Sequence, residues 1–187
     1  MYAWGHDTLK PMSKSYNDTL GLGLTIVDSI DTFFIANMQA EYNEAMEWIK
    51  KSFDPIVNYN VSLRETTVRV LGGLMSIYHL SGEKDFLTKA IDLGERLLPC
   101  FDTKSSIPVS TINLKTSIKN MSVPFTSIAD AASIQLEFRA LARASKMSFF
   151  EAKAAKVSEI IHKLPKDHGL ARNSINCKLK YFQSSFY

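Results

Sequence analysis

Two side chains four positions apart, Glu65 and Arg69, are the ones here whose types and spacing suit chemistry. They lie in NVSLRETTVRVLGG, residues 60–73, at the start of a helix expected from Leu63 to about Leu80 and ended by Ser81-Gly82. On a helical wheel Glu65, Arg69, Gly72 and Ser76 share one narrow stripe. Val68, Val70, Leu71, Leu74, Met75, Ile77 and Tyr78 cover nearly all the rest. A helix that is apolar almost all round is buried. Its one polar stripe is therefore expected to line a cavity, with a carboxylate and a guanidinium pointing into it. Such a pair in a cavity reads as a candidate functional site. The same spacing also describes an ordinary Glu–Arg (i, i+4) pair, worth only a few tenths of a kcal/mol. Pattern alone leaves both readings standing.

The elements that must position this pair belong to a chain of 187 residues, 45% hydrophobic and 22% charged, a globular composition of single-domain size. A net charge of +3, with the basic residues scattered, is too weak to argue for nucleic acid or an anionic membrane as partner. No uninterrupted apolar stretch is long enough for a membrane span. The opening Met1-Tyr-Ala-Trp-Gly-His-Asp lacks the shape of a secretory leader. Cys100 and Cys177 form no framework, and whether they pair is open. Three Asn-x-Ser/Thr triplets begin at Asn17, Asn60 and Asn120, and they tilt the reading toward a secretory lumen.

Read in order, the chain opens with a turn-rich loop, Met1 to Gly23. A helix from Leu24 to Met38 follows, then an amphipathic helix from Ala40 to Phe53, stopped by Asp54-Pro55. An extended piece, Val57 to Val61, leads into the Glu65 helix. A fourth helix runs from Asp85 to Leu98, closed by Pro99. Residues 102–127 form a long Ser/Thr/Asn-rich segment, in which the alternation of Ile107, Val109, Ile112 and Leu114 suggests a short strand. A fifth helix runs from Ile128 to about Ser145 and a sixth from Phe149 to Leu164. Lys166 to Tyr187 reads as loop or extended chain. The layout repeats: Glu65 to Phe86 is 21 positions, Asp130 to Phe150 is 20, and Tyr42 marks the same point in the first unit. The expectation is three helix pairs, each with a buried inner and an exposed outer helix. Each inner helix has an acid near its start: Asp28, Glu65 and Asp130. Stacked hairpins make a solenoid or a closed toroid. In a toroid three such carboxylates gather into one acidic pocket. Capping also accounts for Asp31, and Asp28 is open between capping and the pocket.

Several segments resemble the class I α-mannosidases, glycoside hydrolase family 47. They are GLGLTIVDSIDT, RETTVRVLGGLMSIYHLSG, DLGERLLPCFDT, SSIPVSTINLKT and SIQLEFRALAR, in the same order and spacing. The likeness runs from Ala3-Trp-Gly-His-Asp to about Phe182. It implies an all-α fold, an (α/α)7 barrel of which this chain holds about three helix pairs. It implies inverting hydrolysis of terminal α-1,2-linked mannose on high-mannose N-linked oligosaccharides, in the endoplasmic reticulum or Golgi lumen. Glu65 matches the general-acid carboxylate, Arg69 a substrate-contacting arginine, and Asp130 an acidic residue lining the sugar site. Asp28 matches a recurring aspartate of structural role. A calcium ion is the family's cofactor, with ligands outside these residues, and any membrane anchor also lies outside them.

The departures from the pattern matter. Arg64 stands where the family has an apolar or aromatic residue. Asp130 is one methylene shorter than the usual Glu, and Ser105-Ser106 replaces the more usual Gly before Ile-Pro. The family pattern continues with further helix pairs beyond Phe182-Gln183-Ser184-Ser185. These carry a second carboxylate, the base. Inverting hydrolysis needs two carboxyl groups about 6.5–9.5 Å apart. The 187 residues are therefore expected to be the N-terminal portion of a catalytic domain, inactive alone. Two other classes remain: a non-catalytic mannose-glycan-binding or quality-control protein, and a helical-repeat interaction module.

Overall fold

The computed structural model describes residues 2–179. Met1 and residues 180–187, including Phe182 and the last part of the Lys166–Tyr187 segment, lie outside the described residues. In chain order the helices are α1 (Leu24–Val27), α2 (Ile30–Ile35), α3 (Gln39–Ser52), α4 (Leu63–Glu65), α5 (Gly72–Ser81), α6 (Lys84–Leu97), α7 (Ile128–Ala132), α8 (Gln135–Ser145) and α9 (Ser148–Lys163). A π-helical turn, Thr66–Leu71, joins α4 to α5 without a break. Among the described residues six three-residue strands make three antiparallel ribbons: β1 (Thr8–Lys10) with β2 (Ser15–Asn17), β3 (Asn60–Ser62) with β4 (Thr111–Asn113), and β5 (Phe125–Ser127) with β6 (Ser174–Asn176).

Three helical hairpins, α2–α3, α5–α6 and α8–α9, carry the fold, and α2, α5 and α8 touch in sequence. Phe86 and Phe150, the aromatics marking the repeat, are both fully buried. The middle inner helix is the most deeply packed because it has a hairpin on each side, and Gly73, Leu74, Met75 and Ile77 are all buried in it. Gly73 lets α1 approach. A Cβ there would stand 2.3 Å from the Val27 carbonyl oxygen, well inside contact. The flanking inner helix α2 buries only Ile30 and leaves Phe34 and Ile35 exposed. The first expected inner helix, Leu24–Met38, is therefore buried in its first half, at Leu24, Ile26, Val27 and Ile30, and exposed in much of its second. Among the described residues α2 has an inner-helix neighbour on one side only.

Other differences have local causes. The expected helix from Leu24 to Met38 is two helices, with a kink at Asp28-Ser29 where the Ser29 N–H bonds back only three residues, to Ile26. Asn37 ends the second in a left-handed conformation, φ 57°. The Met38 N–H then reaches the Phe33 carbonyl and the Asn37 N–H the Phe34 carbonyl, a Schellman ending. The fifth expected helix also breaks in two, at Ser133-Ile134. The fourth ends at Leu97, and Pro99 sits at the start of the 3-10 turn Leu98–Phe101 that follows, where its missing N–H costs nothing. The opening loop holds the β1–β2 hairpin. Ile107, Val109, Ile112 and Leu114 are buried as their alternation requires, with β4 at their centre. Cys100 and Cys177 are both buried free thiols.

Candidate active site

Glu65 and Asp130 are built the same way. Each is the third residue of a helix that starts directly from a strand. The Ser62 Oγ accepts from the Glu65 N–H at 3.3 Å, and the Ser127 Oγ from the Asp130 N–H at 2.9 Å. Ser62 and Ser127 are thus the N-caps of α4 and α7. The helix starts are pinned from outside: Leu63 N–H donates to the Ser110 carbonyl and Ile128 N–H to the Asn173 carbonyl, both at 2.8 Å. The Ser110 hydroxyl donates to Thr126 Oγ1 at 2.9 Å, tying the two helix-bearing ribbons together.

A Ser-x-x-Glu start ordinarily sends its acid back to the N-cap N–H. Neither Glu65 nor Asp130 makes that bond among the described residues. Glu65 Oε2 instead meets Arg69 Nε at 2.8 Å, and Oε1 meets Arg64 Nη1 at 3.3 Å. Arg64 Nε reaches toward Asp130 at 4.0 Å, and Arg69 Nη1 toward Asp28, also at 4.0 Å. The result is an alternating row, Asp130, Arg64, Glu65, Arg69, Asp28, drawn from α7, α4, the π turn and the end of α1. The three acids expected to converge are in one cluster, and Arg64 is threaded through it. Asp31 stands apart, accepting from Ser76 Oγ at 2.7 Å and so tying α2 to α5.

The cluster is open rather than enclosed. Glu65 is 40% and Arg69 48% exposed at the side chain, and Val68, expected on the buried side, is 41% exposed. The π turn explains this correction. Bonds from i to i+5 widen the helix over 66–71, so a wheel drawn at α spacing misplaces the residues that follow Glu65. Thr66 and Thr67 point inward from the same turn, with hydroxyls that find no partner among the described residues. Burial pushes the Asp28 carboxyl up; Arg69 opposes that, and the charges of Asp31 and Glu65 add to it.

Glu137 of α8 is a further carboxylate near the row, and the sequence pattern assigns it no role. It is half-buried beside Gly72, where a Cβ would touch its Cγ at 3.6 Å. One of its oxygens, Oε2, is buried without a partner among the described residues, and burial pushes the carboxyl up. Gly72, which lies in the same stripe as Glu65, was the available signal. The serine caps also had one, since Ser62-x-x-Glu65 and Ser127-x-x-Asp130 repeat.

The donors do not suit calcium, which takes six to eight oxygens. Both oxygens of Glu65 already face guanidinium groups, and a cation here would sit against two positive charges. Among the described residues no group of three His, Cys, Asp or Glu is placed to hold a metal.

The family model for glycosyl hydrolase family 47 matches residues 1–187. The chain belongs to that family. It is 45% identical over 179 residues to the endoplasmic reticulum mannosyl-oligosaccharide 1,2-alpha-mannosidase of Mus musculus, covering 94% of this chain and 27% of that protein. It is 41% identical over 174 residues to the mannosyl-oligosaccharide 1,2-alpha-mannosidase MNS1 of Arabidopsis thaliana, covering 89% of this chain and 31% of that one. The fold matches an alpha-1,2-mannosidase from Trichoderma reesei with a TM-score of 0.90 at 23% identity, over 98% of this chain and 42% of that structure. The chain thus spans about a quarter to a third of the length of the curated relatives it matches. No described helix is long and apolar enough to cross a membrane.

Proposed function

We propose that these residues form the N-terminal part of a family 47 catalytic domain that removes terminal α-1,2-linked mannose from high-mannose N-linked glycans in the secretory pathway. In this reading the three hairpins are an arc of an (α/α)7 toroid, and the carboxylate row lies at one end of its inner face. The observation that carries it is the convergence of Asp28, Glu65 and Asp130 at starts or ends of helices, with the Glu65 carboxylate held by two arginine side chains. Glu65 protonates the glycosidic oxygen. Arg69 holds Glu65 in place and donates to sugar hydroxyls, and Asp130 accepts from them. Inversion needs a second carboxylate across the sugar to activate water, about 6.5–9.5 Å away. The three acids here lie in one row on one side, joined by two arginines. The base and the calcium site are assigned to the part of the domain beyond these residues, and this chain by itself turns over no substrate.

The test replaces the matching segment of the mouse relative by this chain and measures mannose release from a high-mannose oligosaccharide, with this chain alone alongside. The chimera is expected to release mannose, and Glu65→Gln to lower the rate by at least about a hundredfold. An active chimera indifferent to Glu65→Gln overturns the assignment of the acid. Release by the chain alone overturns its incompleteness. One observation favours a second reading, a mannose-glycan-binding protein without turnover. Arg64 gives Glu65 a second guanidinium partner, and a carboxylate held between two cations is a better acceptor for hydroxyls than a proton donor. An inactive chimera that binds the oligosaccharide, with binding lost in Glu65→Gln, selects that reading.

A further inference from the structure

Three Asn-x-Ser/Thr triplets occur in the chain, and the fold gives two of them other work. In Asn60-Val61-Ser62, Val61 is fully buried opposite Ile112, and the Ser62 hydroxyl caps the helix that carries Glu65. In Asn17-Asp18-Thr19, Asp18 bonds His6 and the Asp7 N–H, and the Thr19 N–H donates to the Asp7 carboxylate at 2.8 Å. Those residue choices are accounted for by packing and capping. Asn120-Met121-Ser122 has no such account. Asn120 and Ser122 are exposed. Neither the Asn120 Nδ2 nor the Ser122 hydroxyl makes a hydrogen bond among the described residues. The Asn120 Oδ1 accepts from the Ser122 N–H at 3.0 Å, an Asx turn. Ile118 and Val123, on either side, are exposed apolar side chains with nothing over them among the described residues.

We propose that Asn120 is a site of N-linked glycosylation, which rests on the secretory placement in the proposed function. The donor is an oligosaccharide carried on a polyprenyl diphosphate. The Asn120 Nδ2 forms a bond to the anomeric carbon. The bond from that carbon to the diphosphate oxygen breaks, and the polyprenyl diphosphate leaves with the electron pair. One amide proton passes to a base of the transferring enzyme. The Asx turn assists, because an Oδ1 that accepts a hydrogen bond draws electron density from the amide and makes its N–H more acidic. The free Ser122 hydroxyl supplies the recognition contact the triplet requires. A hydrated glycan here lies over Ile118 and Val123 and covers apolar surface that is otherwise wet.

The test is translation of the full chain behind a cleavable secretory leader in the presence of microsomal membranes, reading only the protease-protected fraction. A slower band is expected that peptide N-glycanase removes, with a step of one glycan lost in Asn120→Gln and in Ser122→Ala. Asn17→Gln and Asn60→Gln are expected to keep that step. Protected chain with no shift overturns the proposal, as does a shift that Asn120→Gln leaves undiminished. The turn is local to residues 120–122, so a variant that folds poorly still reports. Mannose release plays no part in the readout, so failure of the mannosidase reading and failure of this one are seen separately.

Discussion

Asp7 and Glu65 are both carboxylates that organise their surroundings, and they are held in opposite ways. Asp7 is 4% exposed. Its Oδ2 accepts from the N–H groups of Thr19, Leu20 and Gly21 at 2.8, 2.5 and 2.7 Å, and its Oδ1 from those of Leu22 and Leu24 at 3.1 and 3.0 Å. Five fixed backbone donors close around one side chain and fold the approach to α1. Gly23 completes the turn with φ +65°, leaving no room for a Cβ beside the Trp48 ring. Among the described residues Glu65 has no backbone donor at its carboxylate. Its partners are two long side chains on a face open to water. A charge held by the backbone is part of the fold and exchanges for nothing. A charge held by side chains can trade its partners for a ligand's hydroxyls at little cost to the fold.

The largest effect that tests this contrast is at Asp7. Asp7→Ala strands five backbone N–H groups near a buried turn, and it is expected to destabilise the chain by about 4 kcal/mol in urea unfolding. Asp7→Asn keeps one acceptor oxygen and is expected to cost less. The same site fixes a pH dependence. Burial pushes the Asp7 carboxyl up, but the N–H groups of Leu24, Gly21, Leu20 and Leu22 outweigh it, and the group lies below its ordinary value. A depressed carboxyl binds its proton more weakly in the folded state. Its stabilisation is therefore present above the unfolded-state value and lost as pH falls through the folded one. Stability curves against pH should show that acid loss in the wild-type chain, and it should be absent in Asp7→Asn.

The next effect joins the two regions. Gly73→Ala drives a Cβ against the Val27 carbonyl and is expected to cost about 2 kcal/mol, as overpacking does. The displaced element is α1, which ends at Asp28. The change should also weaken Arg69 to Asp28 coupling in a double-mutant cycle while sparing Arg69 to Glu65, which is local to one helix. Equal loss of both couplings would mean that the row behaves as one unit rather than as two supports meeting at Arg69.

Glu137 sharpens the contrast with the opposite sign. Burial with an unpartnered oxygen pushes its carboxyl up. A raised group binds its proton more tightly in the folded state, so its contribution is fully present below the unfolded-state value and lost as pH rises through the folded one. Glu137→Gln should remove that slope. The wild-type-minus-variant difference should fall with rising pH, where the Asp7 difference rises.

What was legible in the sequence follows the same division. The amphipathic helices α3, α6 and α9 lie within one or two residues of their expected ends, because each buries one face and stops at a clear breaker. The convergence of the three acids was legible through the repeat, since each expected inner helix carries an acid near its start. The breaks at Asp28-Ser29 and Ser133-Ile134 were hidden, because apolar residues continue on both sides of each. The π turn was hidden for a related reason: its residues look helical, and only the bonding pattern differs. The β1–β2 hairpin, with three residues to a strand, carries too little alternation to read. Asp7 was invisible as an anchor, since its donors lie 12 to 17 positions away and are backbone N–H groups that any residue supplies.

The smallest effect expected on stability is at the cluster itself. Glu65→Gln and Arg69→Met remove ion pairs whose members are 40% and 48% exposed, and such pairs are worth about 0–1 kcal/mol. Each variant should unfold within about 1 kcal/mol of the wild-type chain, although each sits at the centre of the row. In the chimera with the mouse relative the same Glu65→Gln is expected to remove nearly all mannose release. Asp7→Ala has the reverse profile, a large stability loss with the residual folded fraction retaining its rate per molecule. A cost at Glu65 approaching that of Asp7 would make the row a structural network that happens to face water, and the arginines its essential partners. A cost near zero with lost turnover leaves the carboxylate free for a substrate, which is what its holding by two exposed arginine side chains already argues.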